Sequence, residues 1–152
     1  MKHYFLVNPV AGKSKSMKTA EAIKKYYDEN GFDYQIIVTD EAHIGKDIVR
    51  DIAKSGEKCR IYAVGGDGTL FDVVNGAAGY DNVSVGVIPC GSGNDFVKSF
   101  CAFDDFLDIQ NQCMGTEIPI DLIKFDDYYS VNIASMGMDA EVVNHHNRHR
   151  LL

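Results

Sequence analysis

Ile61-Tyr62-Ala63-Val64-Gly65-Gly66-Asp67-Gly68-Thr69-Leu70 decides the fold. The run Ile61–Val64 is apolar and rich in β-branched residues, as a buried strand is. It passes without a spacer into three glycines, and helical spacing resumes over Leu70–Ala78. Glycine lets the backbone of such a turn approach a ligand closely. The opening turn of a helix presents unpaired N–H groups and a positive dipole end, a natural seat for phosphate. Thr69 followed by Asp72 three positions later reads as a capping box fixing that start. Asp67 needs a separate account, because a carboxylate repels phosphate unless a cation lies between them or it only accepts hydroxyl bonds. Magnesium, which takes carboxylate, water and phosphate oxygens, is the obvious bridge. A tight turn in which Asp67 bonds its own backbone is the plainer alternative, and the strand–turn–helix context favours phosphate.

Outward from this stretch the chain alternates strand and helix. Strands are expected at Tyr4–Val7, Tyr34–Thr39 and Val83–Ile88, with helices at Met17–Asn30 (Met17, Ala20, Ile23 and Tyr27 inward, Gly31 as cap) and Ile44–Lys54 (Ile44, Ile48 and Ile52 inward, Gly56 beyond). A helix starts near Asn94, another covers Asp104–Met114, and Ile118–Phe125 with Tyr129–Ala134 reads as a hairpin around Asp126-Asp127. Successive strand–helix units imply an α/β fold: a Rossmann-like parallel sheet with helices on both faces. The expected division is a nucleotide-binding domain over residues 1–127 and the start of a second domain over 128–152. Ligands of such sheets lie beyond the carboxyl ends of the strands. That rim also receives Pro89-Cys90-Gly91-Ser92-Gly93-Asn94-Asp95-Phe96, a second glycine turn with a hydroxyl and another carboxylate. Two such turns at one rim point to a polyphosphate ligand.

Two familiar phosphate motifs fail. Gly12-Lys13-Ser14 ends like a P-loop, but the first required glycine falls at Val7. Gly91-Ser92-Gly93 begins like a dinucleotide fingerprint, but Phe96 replaces its third glycine. Asn8-Pro9-Val10-Ala11-Gly12-Lys13 sits at the same rim, where Asn8 could bond a base or ribose and Lys13 a phosphate. A plain strand-to-helix turn accounts equally well for any one of these residues, and the same holds for Thr39.

The net charge of −7 argues against nucleic-acid binding and against a chain held on an anionic membrane by its overall charge. Cys59, Cys90, Cys101 and Cys113 form no C-x-x-C pair and read as free buried thiols. No apolar run is long enough for a signal peptide or a membrane span, so the expected location is cytoplasmic, with peripheral membrane contact left open. In the tail, His145 and His149 lie four apart but lack a third ligand, and Arg148 and Arg150 could meet lipid headgroups.

Taken together, Asn8-Pro9…Gly12-Lys13, Gly65–Thr69 through Val73-Val74-Asn75-Gly76, Pro89…Phe96, and Asn132…Gly137-Met138-Asp139-Ala140-Glu141-Val142 resemble the catalytic domain of diacylglycerol kinases. Sphingosine, ceramide and, more distantly, NAD kinases share parts of the pattern. The resemblance implies an ATP- and magnesium-dependent lipid kinase acting on a lipid substrate at a membrane surface, with diacylglycerol as the model acceptor. It implies that nucleotide meets Asn8, Pro9, Gly12, Lys13, Thr39, Gly65, Gly66, Asp67, Gly68, Thr69, Asn75, Gly91, Ser92 and Asn94. It also implies a catalytic and metal-binding network of Asp67, Asp95 and Asp121, the last resting on the resemblance alone. Ser92 stands where threonine is usual, and Asp72 where glutamate is common. Members of the family are about twice as long, with a β-sandwich-like second domain supplying the general base. The hairpin is therefore expected to begin a truncated copy of that domain, and a homodimer could cover an orphaned hydrophobic edge. An NAD-kinase-like or sphingosine-type activity, or a non-catalytic nucleotide-binding module, are the alternative readings.

Overall fold

A computed structural model describes residues 1–39, 44–100 and 103–132. β1 (Lys2–Val7), β2 (Tyr34–Val38), β3 (Cys59–Gly65) and β4 (Val83–Pro89) form one sheet in the order β2-β1-β3-β4. Every pairing in it is parallel. α1 (Lys15–Asn30), α2 (Ile44–Ala53) and α3 (Asp67–Ala77) make the crossovers.

Alternate residues of each strand face opposite sides. Phe5, Val7, Tyr62, Val64 and Ile88 pack with Ala20, Ile23 and Tyr27 of α1. Leu6, Ile61, Ala63 and Val87 pack instead with Val49 of α2 and with Leu70, Val73, Val74 and Ala77 of α3. Burial on both faces is why β3 reads as an unbroken apolar run. The expected Rossmann-like layering is therefore present.

Several local expectations change. In α1 the inward row begins at Ser16, whose hydroxyl donates to the Asn8 carbonyl at 2.6 Å, while Met17 is left exposed. In α2 the fully buried row is Gly45, Val49 and Ala53, and the expected Ile48 and Ile52 are half-buried against the same core. The cause is close approach to α3: a Cβ on Gly76 would lie 2.6 Å from the Cβ of Val49. That contact turns the glycine–valine–alanine row inward and leaves Ile44 at the surface. The helix expected over Asp104–Met114 is two pieces, a 3₁₀ turn at Phe103–Phe106 and α5 (Ile109–Met114). Asp108 starts the second piece by accepting the Asn111 N–H, which breaks the run. α4 (Asp95–Lys98) is a single turn.

The hairpin is shorter than expected, with β5 (Ile123–Phe125) antiparallel to β6 (Tyr128–Ser130). Asp126, at φ 49°, makes the tight turn. The boundary expected between residues 127 and 128 thus falls inside the hairpin, whose two strands form one unit. Cys59, Cys90 and Cys113 are free thiols. Cys101, the block from Gly137 to Val142 and the histidine- and arginine-bearing tail lie outside the described residues. No described helix is long and apolar enough to cross a membrane.

From β1 the chain crosses to β2 on one side, and from β3 to β4 on the other. The order therefore reverses between β1 and β3, and the crevice beyond their carboxyl ends is where such sheets take ligands.

Candidate active site

Val7 and Val64 are partners in the β1–β3 ladder, and the Asn8 N–H donates to the Val64 carbonyl at 3.1 Å. Asn8 is thereby held beside Gly65. Its side-chain oxygen accepts the Val10 N–H at 3.1 Å, and its carbonyl accepts the Ala11 N–H at 3.2 Å. Pro9 is half-buried in this loop. Gly12, Lys13 and Ser14 follow with φ of 59°, 52° and 72°, a left-handed turn that non-glycine residues adopt at a cost. The turn brings Gly12 against the carbonyl oxygen of Cys90, so closely that any side chain would collide there. The first loop therefore reaches across to the end of β4. On the other flank, Thr39 donates its N–H and its hydroxyl to the Val7 carbonyl at 2.9 and 3.3 Å.

α3 opens at Asp67, because the extended Gly66 already gives its carbonyl to the Leu70 N–H at 3.1 Å. The capping box expected of Thr69 and Asp72 does not form. Thr69 lies inside the first turn with its hydroxyl packed over Gly65, buried and without a hydrogen-bond partner among the described residues. Any side chain on Gly65 would strike that hydroxyl.

The two glycine turns are joined. The Gly65 carbonyl accepts the N–H groups of Cys90 and Gly91 at 2.7 and 3.2 Å. Gly66 and Gly91 touch backbone to backbone, a Cβ on Gly91 falling 2.5 Å from the Cα of Gly66. Across this seam Asp67 accepts the Asn94 N–H on Oδ2 and the Asp95 N–H on Oδ1, both at 2.7 Å. Asn94 is left-handed at φ 56°, and its amide bonds the Gly91 N–H and carbonyl at 3.1 and 2.7 Å. Gly68 and Ser92 are exposed at the mouth. Burial pushes the Cys90 thiol up, which suits a packing role for it.

Among the three aspartates, Asp67 and Asp95 are neighbours: oxygens of both lie within 4 Å of the position a Gly93 Cβ would take. Asp95 is exposed, with Lys98 at 3.5 Å. Asp121 is exposed between α5 and β5 and does not line the cleft beside Asp67. Among the described residues no three acids, histidines or cysteines gather as a metal cage. Two carboxylates remain, and these fit a magnesium ion that keeps waters and shares phosphate oxygens.

Asn75 was expected to touch nucleotide and is placed differently. Its amide is committed to the Phe71 and Tyr129 carbonyls and the Tyr129 N–H, and it is buried. It holds the hairpin onto α3. That contact leaves a cleft of about 200 Å³ running from Asp67 and Asp95 past Leu70, Phe71 and Phe96 to Tyr129 and Ser130. Phe71 and the hairpin residues carried no motif, so only the folded geometry reveals them. A larger apolar groove of about 750 Å³, lined by Val85, Val87, Phe100, Phe106 and Ile120 among others, shares Leu70, Val74 and Phe96 with the cleft.

The family model for the diacylglycerol kinase catalytic domain matches residues 2–125, which takes in the whole sheet and both glycine turns. The chain belongs to that family. A diacylglycerol kinase of Bacillus subtilis (strain 168) is 31% identical over 144 residues, covering 90% of this chain and 46% of its own length. One from Staphylococcus saprophyticus is 30% identical over 141 residues, covering 90% and 45%. The crystal structure of a diacylglycerol kinase from Bacillus anthracis (strain Sterne) superposes with a TM-score of 0.67 at 24% identity, covering 84% of this chain and 45% of its own. That likeness extends the family assignment to the fold. The chain spans about half the length of the family members it matches.

Proposed function

We propose that the chain is the nucleotide-binding half of an ATP-dependent lipid kinase, which transfers the γ-phosphoryl group to a lipid hydroxyl such as that of diacylglycerol. The observation that carries this reading is the joined pair of glycine turns at the β1–β3 switch, in a chain of a kinase family. The unpaired N–H groups at the start of α3 bind phosphate, helped by the dipole of that helix. Asn8, Pro9, Gly12 and Lys13 close one flank of the nucleotide, with Thr39 beyond them. Gly91, Ser92 and Asn94 shape the other.

Asp67 and Asp95 are the carboxylates beside the phosphates, and Asp121 joins them only if its segment moves toward the cleft. When bound, magnesium would supply charge neutralisation between these carboxylates and the phosphate oxygens. Phosphoryl transfer asks the protein chiefly for such positioning and neutralisation. Asn75 is assigned here to holding the hairpin rather than to touching nucleotide. The general base is assigned to the half of the longer relatives that lies beyond the aligned region. The apolar groove adjoining the cleft supports a lipid over NAD as acceptor. The protein would act as a soluble, cytoplasmic enzyme at a membrane surface, and pairing of two copies over the apolar face belongs to the same proposal.

Calorimetric titration of ATP and ADP, with and without magnesium, tests nucleotide binding by the chain. Transfer of labelled phosphate to dispersed diacylglycerol, sphingosine and NAD then ranks acceptors, with slow turnover on diacylglycerol expected of this half. Failure to bind either nucleotide under any of these conditions would overturn the reading. Transfer to NAD alone would move the acceptor from lipid to dinucleotide.

A further inference from the structure

We propose that the outer edge of β4 docks a second copy of this chain, β4 pairing antiparallel with the partner's β4 about a two-fold axis at Gly86. This gives a surface and a register to the pairing of two copies proposed above; it rests on that pairing and not on the nucleotide reading.

β4 has β3 on one side and no strand on the other. Asn82 gives its carbonyl to the Cys59 N–H, and Cys90 gives its N–H to the Gly65 carbonyl. Backbone groups along a strand alternate between its two sides. Ser84, Gly86 and Ile88 therefore turn theirs to β3, while Val83, Val85 and Val87 turn theirs outward. The Tyr80 carbonyl takes the Val83 N–H. The N–H and C=O groups of Val85 and Val87 have no partner among the described residues. Val87 is only 6% exposed, and buried backbone groups rarely stay unpaired because each costs what a lost hydrogen bond does.

The groove of about 750 Å³ lies along this edge. Tyr62 packs on the α1 side of the sheet and Leu70 and Val74 on the α3 side, yet all three line it, so it straddles the strand. A lipid chain would cover the apolar walls and leave the backbone groups unpaired, whereas a strand satisfies both. Edge strands are normally guarded by lysine or by proline, and Val83–Ile88 has neither, nor any charge. Such a strand meets its own copy without repulsion. Val85 is 39% exposed, which leaves the edge open at its middle, and Phe100, Ile118 and Ile120 are exposed along the groove. With the axis at Gly86, Val85 and the partner's Val87 exchange N–H and C=O bonds, and the reverse pair does the same. Every free group of both valines is then used. Gly86 faces its copy at the site where antiparallel backbones lie closest, ~4.5 Å between Cα atoms, and neither copy carries a Cβ. The run also ends by itself: Val83 has given its N–H to Tyr80, and Pro89, which falls opposite it, has none to give. A closed two-fold contact of this kind is the commonest oligomer symmetry.

Sedimentation and amide exchange of the ligand-free chain test this together. A dimer is expected, with the Val85 and Val87 N–H groups protected in it and losing that protection on dilution, because only the second copy covers them. Val85→Pro removes one outward donor and leaves the ladder to β3, to which Val85 contributes no bond. It should weaken dimerisation by about tenfold or more. Val85→Lys sets a charge on each copy at the joint from an exposed position. It should also give a monomer, with circular dichroism and ADP binding unchanged. A monomer at every concentration, with fast exchange at both valines, would overturn the proposal. So would protection that persists in a monomer, which would put a segment of the same chain on the edge. Protection that appears only with dispersed diacylglycerol would make the groove a lipid seat instead, and a dimer that both variants leave intact would place the interface elsewhere. Absence of ADP binding by the native chain bears on the nucleotide reading alone.

Discussion

Asn75 pairs with Tyr129 as one strand residue pairs with another: its Oδ1 accepts the Tyr129 N–H at 2.8 Å, and its Nδ2 donates to the Tyr129 carbonyl at 2.9 Å. The same Nδ2 donates to the Phe71 carbonyl one turn back in α3. A buried side chain thus supplies β6 with backbone-like partners that the four-stranded sheet does not. Phe71 stacked on Tyr128 at 5.7 Å, with the Lys46 ammonium 4.6 Å from that ring, extends the contact to the surface. α3 therefore carries the phosphate turn at one end and the hairpin along its side.

Asn75→Ala is expected to free the hairpin. It leaves the Tyr129 N–H without its partner, and a lost buried partner costs about 1–3 kcal/mol. Urea unfolding should register that loss, and amide exchange should show Tyr129 opening while β3 stays protected. Native-like protection at Tyr129 in the variant would refute the clamp.

Gly12→Ala attacks the reach of the first loop. It combines a positive φ with a collision against the Cys90 carbonyl. The left-handed conformation alone costs alanine about 1 kcal/mol, and the collision adds to it. The loop should detach from β4, lowering thermal stability and nucleotide affinity together. A variant of native stability would mean that the loop does not cross to Cys90.

Arg60 latches α5 to the far end of the sheet. Its guanidinium donates to the carbonyls of Gln112, Cys113 and Gly115 and to Glu117, and it is nearly buried. Ser84 first, and then Arg60, hold the Glu117 carboxyl below its usual range. Arg60→Lys cannot reproduce this fork of donors, so it should destabilise almost as much as Arg60→Ala, by about 2 kcal/mol. Full stability in the lysine variant would show that charge alone suffices.

His3 gives the protein an acid-sensitive point. Its Nδ1 lies 2.6 Å from the Tyr27 hydroxyl, and burial first, with Arg60 and the amino terminus, lowers it to about 4. The unfolded chain takes up this proton near pH 6.5, well before the folded chain does. Stability is therefore lost as pH falls from 6.5 toward 4, by at most about 3 kcal/mol, and this contribution is flat above and below that window. Comparing urea unfolding of the native protein with His3→Gln between pH 7 and 5 isolates the effect. Equal slopes would contradict it.

The apolar run Ile61–Val64 and the glycines after it were enough to read β3 and its turn, because a parallel strand buried on both faces has no polar alternation to hide it. The meeting of the two glycine turns at one rim could also be read, since strand ends and glycine turns are local features. What could not be read depends on docking. Asp67 meets Asn94 and Asp95 across the seam between the two glycine turns, at sequence separations of 27 and 28. The innermost row of α2 is set by close approach to Gly76 on another helix, with Ile48 and Ile52 half-buried beside it and Ile44 at the surface. Asn75 is placed at the nucleotide by the family resemblance alone, and its partners Phe71 and Tyr129 meet it only once the hairpin docks on α3. The break at Asp108, by contrast, carried a local signal: an aspartate three residues before Asn111, at a helix start.

The most direct test of the account is an amide-resolved NMR titration of the chain with ADP and magnesium. Perturbations should gather in Asn8–Lys13, Gly65–Leu70 and Gly91–Asp95, with smaller shifts at Thr39 and little along Val83–Val85. Perturbations centred on the apolar groove beside β4, leaving both glycine turns unmoved, would contradict a nucleotide site at the carboxyl rim.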